Sequence, residues 1–158
     1  MPNVVPKGPT RYLLPEDQLM LSCDKQIQEK HHYRGFMLSF LTVDLAISHI
    51  MGELSRECEK RLASLIDTAK KLQLAEDLYT SEAYRNIPAD IRRQHTFVVD
   101  DNNAQQALSH ALAVADHSLC FHELLLESTR TPELRELLEQ LVDQKRNACR
   151  IIEEIREA

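Results

Sequence analysis

Tryptophan is absent, glycine occurs three times and aromatic residues make up 5% of the chain. That shortage argues against a sheet, which draws on turn glycines and cross-strand aromatic pairs. No run approaches the roughly 18 apolar residues of a membrane span, and the first residues lack a charged-then-apolar leader. The expectation is a soluble, cytoplasmic protein with no membrane contact. Basic excess is lacking too: the net charge is −6, with Lys and Arg interspersed among Glu and Asp. A face for phosphate backbones is therefore missing, and nucleic acid is not an expected partner. The four cysteines, Cys23, Cys58, Cys120 and Cys149, stand far apart with no Cys-x-x-Cys. This excludes a metal knuckle or a disulfide scaffold and predicts free, mostly buried thiols. A Gly-rich phosphate loop, a nucleophile elbow and a Ser/His/Asp arrangement are likewise missing, so no catalytic residue is expected.

What the chain does have is helical periodicity. Its 158 residues are 43% apolar, enough for one core of ordinary size. Pro2, Pro6, Pro9, Pro15 and Gly8 predict an extended arm over 1–15, leaving 16–158 as a single helical-bundle domain. Pro15-Glu16-Asp17 reads as a helix start, and Leu19, Cys23 and Ile27 carry a short helix over about 16–31 before the polar stretch ending at His31-His32. Phe36, Phe40, Val43, Ile47, Ile50 and Leu54 then keep a 4-3-4-3-4 rhythm, continued by Leu62, Leu65, Ile66, Ala69 and Leu72. In the C-terminal part Leu108, Leu112, Ala115, Leu119, His122 and Leu126 form one seam. Leu134, Leu138, Leu141, Ala148, Ile152 and Ile155 form another, interrupted by Lys145. The hinge between them is Thr131-Pro132, a hydroxyl before a proline at the first helical position.

The two halves match at an offset of 72 residues: Asp44 with Asp116, Leu54 with Leu126, Leu62 with Leu134, Leu65 with Leu137. An internal duplication follows, and with it a turn near Arg56 to Lys60. One unbroken helix over 36–78 is the competing reading. Pro88 and the β-branched run Thr96 to Val99 mark 80–101 as a connection, and Asp100 to Asn103 offer N-caps. The expected fold is all-α: hairpins at about 36–79 and 102–157 joined by a crossover at about 80–101, plus the short N-terminal helix.

The helix from Ala111 to His122, the Thr131-Pro132-Glu133-Leu134 start and the Leu137 to Lys145 run resemble the C-terminal hairpin of rubrerythrin-like members of the ferritin-like superfamily. The resemblance implies a ferritin-like four-helix bundle with a di-iron or mixed-metal site, built from a Glu on one helix of each hairpin and a Glu-x-x-His on the other. Here the single-Glu positions fall on Val43 and Ala115, and the Glu-x-x-His positions on Gln73/Glu76 and Lys145/Ala148. The expected bundle has lost its di-metal ligands, so no cofactor is expected, with iron or another divalent metal as the alternative.

Unorthodox ligands for that alternative are His49, Glu53, Glu76, His122 and Glu123. His49, Glu53 and Glu57 share one helix face at i, i+4 spacing, against which stands a plain solvated face. His110 and His117, seven apart, share one side of the third helix with Asp116 beside them, again readable as a surface strip. His122, in a seam, reads as a satisfied core histidine that shares a polar layer with Lys145. His31-His32 reads as a polar cluster at a helix end. The functional expectation is a non-catalytic bundle acting by oligomerisation or protein–protein interaction, as a homodimer driven by the surplus apolar residues of 36–54.

Overall fold

The computed structural model describes residues 14–74 and 98–158. Within them lie four α-helices and no strand: α1 Pro15–Phe40, α2 Leu45–Lys71, α3 Asp101–Ser128 and α4 Pro132–Glu157. No helix among the described residues is long and apolar enough to cross a membrane.

α1 begins where expected, with Pro15 at its first position and Glu16 and Asp17 in the first turn, where they complement the helix dipole. It does not end at residue 31. It runs on to Phe40, so the expected short helix is the first full member of the bundle. The turn follows at Leu41 to Asp44, closed by Asp44 N–H donating to the Phe40 carbonyl at 2.9 Å. The Asp44 carboxylate then accepts from the Ile47 N–H at 3.1 Å and caps α2. α2 is continuous across Arg56 to Lys60, which overturns the turn expected there, and the break at 41–44 equally overturns one helix over 36–78. α2 stops in a Schellman motif. Gln73 takes φ 62°, its N–H donates to the Lys70 carbonyl, and Leu74 N–H reaches the Ala69 carbonyl at 2.7 Å.

Asp100 caps α3 by accepting from the Asn103 N–H. α3 and α4 meet at Thr129 to Thr131 with Pro132 leading α4, as the hinge predicts, although the Thr131 side chain makes no capping bond. The helices that correspond in the two hairpins begin at Pro15 and Asp101, and at Leu45 and Pro132. Those spacings of 86 and 87 residues displace the 72-residue repeat. Residues 1–13 of the arm expected over 1–15, and residues 75–97, which include most of the expected crossover, lie outside the described residues.

Gln18 meets Ser128 and Glu29 meets Ser118, so α1 and α3 are antiparallel. Lys60 and Arg61 share a cleft with Gln144 and Asn147, and Lys71 shares another with Glu133, so α2 and α4 are antiparallel as well. α1 and α4 therefore run one way and α2 and α3 the other. The chain between α2 and α3 must travel the length of a helix, about 40 Å for 27 residues. Two apolar clusters fill the bundle. One, at the end bearing the 41–44 turn, holds Tyr33, Phe36, Phe40, Met51, Leu54, Leu112 and Ile152. The other, at the Pro132 end, holds Leu19, Cys23, Leu65, Leu125, Leu134, Leu138 and Leu141. Val98, at the end of the connection, is buried in the first cluster and donates its N–H to the Ser39 carbonyl.

Candidate functional site

Between the clusters the bundle turns polar. The inner face of α1 carries Gln18, Ser22, Gln26 and Glu29 in successive turns, all buried. Facing it are Arg61 of α2, Ser118 and His122 of α3 and Lys145 of α4, also buried. Such a layer persists only if its groups satisfy one another.

Gln26 is the hub. Its Oε1 accepts from Lys145 Nζ at 2.8 Å and Arg61 Nε at 3.1 Å. Its Nε2 must then be the atom facing His122 Nε2, at 3.0 Å. His122 Nε2 is thereby an acceptor, from Gln26 and from the Ser22 hydroxyl at 2.9 Å. The ring proton resides on Nδ1, which donates to the Ser118 carbonyl at 2.8 Å. One amide orientation thus selects one imidazole tautomer. Burial, then the ammonium of Lys145, pulls His122 down to a pKa of about 4, so the ring is neutral at physiological pH.

Lys145 and Glu29 form the charged part of the layer, with Nζ 2.7 Å from Oε1. The Ser118 hydroxyl donates to the same oxygen. Burial lowers the Lys145 pKa against the attraction of Glu29. Glu29 Oε2 and the Tyr33 hydroxyl, one turn further along α1, are buried without a hydrogen-bond partner. Desolvation, reinforced by Glu29, raises Tyr33 well above the usual phenol range, and burial raises Cys58 beside it. These groups are inert as acids or nucleophiles near neutral pH.

The sequence-derived ligand candidates do not converge. His49 and Glu53 are exposed on α2, where Arg56 holds the Glu53 carboxyl below its ordinary range by hydrogen bond and charge. Glu57 stands beside Arg61 at 3.7 Å. Glu123 faces Arg146 at 3.8 Å on the surface. Glu76 lies outside the described residues. His122 is the one candidate in the centre, sharing with Lys145 the expected polar layer. The positions carried over from the resemblance scatter as well. Val43 sits exposed in a turn and Gln73 lies beyond the end of α2, while Ala115, Lys145 and Ala148 are buried. At the centre α1 contributes Glu29 and α2 contributes Cys58 and Arg61. One carboxylate and one imidazole among an ammonium and a guanidinium do not fit two divalent cations, which need several carboxylates and repel fixed positive charge. Among the described residues no group of three His, Cys, Asp or Glu side chains is placed to hold a metal.

His31 and His32 do not mark a helix end: both lie within α1, and the His32 ring packs against His110 at 5.8 Å between centroids. Sequence reasoning missed Gln26, Glu29 and Arg61. The signal was the ladder Leu19, Ser22, Gln26, Glu29, Tyr33, Phe36 and Phe40, one uninterrupted helical stripe whose middle is polar. Three cysteines are buried and free as expected, while Cys120 is exposed. Comparison with protein-family models, with curated proteins and with solved structures returns no match for this chain.

Proposed function

We propose that this chain is a ferritin-like bundle whose metal centre has been replaced by a structural polar layer, and that it acts without catalysis by pairing with a second copy of itself in the cytoplasm. The ferritin-like assignment is supported by helix directions that require a bundle-length crossover, and by Lys145 occupying a position where a metal-binding relative would carry a carboxylate. Self-association is supported by the tip of the first hairpin. Leu38, Leu41, Val43 and Leu45 are 49%, 50%, 51% and 61% exposed there, and Val99 lies exposed near the same end. Contiguous exposed leucines mark an interaction surface.

The occupant is a second copy because the tip is poor in charge. The only ionisable residue between Gly35 and Ser48 is Asp44, and its carboxylate is engaged in capping α2. A patch with so little charge to select a charged partner is best matched by the same patch, across a two-fold axis. The carrying observation is this exposed tip. Sedimentation velocity on the wild type, Leu41→Glu and Leu45→Glu tests it: the wild type sediments as a dimer and both variants as folded monomers. A wild type that stays monomeric at every concentration, or variants that remain dimeric, overturns the reading.

A further inference from the structure

On the flank of the bundle, between α1 and α3 and away from the apolar tip, a cleft of about 300 Å³ opens, a volume at the lower end of small-molecule sites. Its lining includes Lys25, Ala113, Val114 and His117, together with Glu29. Lys25 is half-buried, its Nζ lies 2.6 Å from His117 Nδ1, and the Phe121 ring covers another side of it at 5.3 Å. Neither the polar layer nor self-association uses this amine.

We propose that Lys25 is a nucleophilic amine that captures a small aliphatic aldehyde as an imine, with His117 as the group that takes and returns the proton. A lysine does this when its carbonyl partner can reach it, when its surroundings disfavour the ammonium and when a base stands within hydrogen-bond distance. The cleft supplies access, and Ala113 and Val114 give a short alkyl chain an apolar surface to lie on. Burial lowers the Lys25 pKa; the Glu29 carboxylate opposes this and the Lys145 ammonium adds to it. Glu29 itself is committed elsewhere, its Oε1 accepting from Lys145 at 2.7 Å and from the Ser118 hydroxyl. At rest, the hydrogen bond to His117 and the face of Phe121 both favour the ammonium, so the lone pair is released when His117 Nδ1 takes the proton along their contact. As the acceptor, Nδ1 leaves the ring's own proton on Nε2. The freed nitrogen then adds to the carbonyl carbon as the carbonyl π pair moves to oxygen. His117 returns its proton to that oxygen, takes one from the nitrogen and delivers it to the hydroxyl, which leaves as water while the nitrogen pair closes C=N. One ammonium and one aldehyde thus give one protonated imine and one water, a stoichiometric capture without turnover.

The test treats the full chain briefly with butanal and cyanoborohydride near neutral pH, which fixes each imine as a butyl amine, and quantifies the butylated lysines by peptide mass spectrometry. Lys60, Lys70 and Lys71 are exposed and serve as internal references. Lys25 is expected to react about tenfold faster than these or more, although burial by itself would make it the slowest. His117→Gln keeps a polar side chain at an exposed position but removes the basic nitrogen. It is expected to abolish the Lys25 advantage while leaving the reference lysines and the circular dichroism unchanged. A Lys25 rate equal to or below the references, or an undiminished rate in His117→Gln, overturns the proposal. Self-association is read separately by sedimentation, so the two outcomes are distinguishable.

Discussion

The Lys145–Glu29 pair lends itself to a quantitative prediction. The two side chains are 1% and 2% exposed, and their charged atoms are 2.7 Å apart. At the effective dielectric constant of about 20 that suits such sites, the attraction is about 6 kcal/mol. Desolvating each ion costs several kcal/mol, so the intact pair contributes little net stability compared with an apolar pair of similar volume. Breaking it is another matter. Lys145→Met keeps the unbranched shape but removes the donor to both Glu29 Oε1 and Gln26 Oε1. It strands a buried carboxylate whose remaining donor is the Ser118 hydroxyl. The expected loss is about 3–5 kcal/mol, a large fraction of the roughly 5–15 kcal/mol that holds a domain of this size together. Removing the stranded charge as well, in Glu29→Gln/Lys145→Met, recovers most of that loss, so the double variant falls within about 1–2 kcal/mol of wild type. Urea unfolding followed by far-ultraviolet circular dichroism, with equal slopes for all variants, measures the cycle. A Lys145→Met loss below about 1 kcal/mol, or a double variant as unstable as the single, would falsify the assignment of these groups as a desolvated ion pair.

Three further outcomes are expected. His122 has a folded pKa of about 4 against an ordinary value of 6.5, so the unfolded chain takes up that proton first. Its contribution of about 3 kcal/mol is complete above pH 6.5 and is lost as the pH falls through 6.5 to 4; urea midpoints across this window should fall for the wild type and stay flatter for His122→Gln. Gln73→Gly relieves the left-handed conformation at the end of α2 and should raise stability by about 0.5–1 kcal/mol, whereas a lower thermal midpoint would show that the Gln73 side chain has a role of its own. Leu138→Ala, in the fully buried cluster at the Pro132 end, should cost about 2–5 kcal/mol in the same unfolding assay, and a negligible effect would contradict the packing described for that cluster.

The C-terminal hairpin was legible in the chain and the N-terminal hairpin was not, for physical reasons. In α4 every seam residue from Leu134 to Ile152 is buried, Lys145 included, and Pro132 announces the turn. In the first hairpin the turn residues Leu41, Thr42 and Val43 are apolar or β-branched, because they belong to an exposed apolar tip. They mimic the continuation of a seam, and Asp44 is the sole local sign of a helix start. α1 misleads in the opposite sense. Its inner face carries Gln18, Ser22, Gln26 and Glu29, which periodicity assigns to solvent, so a 26-residue bundle helix reads as a short peripheral one. The polar layer itself was half visible: His122 and Lys145 stood out because they interrupt leucine seams, while their partners sat in a stretch where polarity looked ordinary. Pairing across about 90–120 positions, as between Gln26 and Lys145, leaves no trace in local spacing.

The hub at Gln26 has a consequence for how the chain folds. Each hairpin closes a short turn, so both can form quickly from local contacts. The polar layer cannot be assembled within either one, since Gln26 and Arg61 belong to the first hairpin and His122 and Lys145 to the second. Until the hairpins dock, these groups keep their water. They must surrender it together, in the one alignment where every donor meets its acceptor. Displacing the hairpins by a single helical turn would move the Lys145 ammonium off Glu29 towards Ser22, or off Gln26 towards Tyr33. Docking therefore becomes the slow, selective event, and the network assembles late. Substitutions at Gln26 or Lys145 should speed unfolding far more than they slow folding, and substitutions at the Asp44 cap should do the reverse.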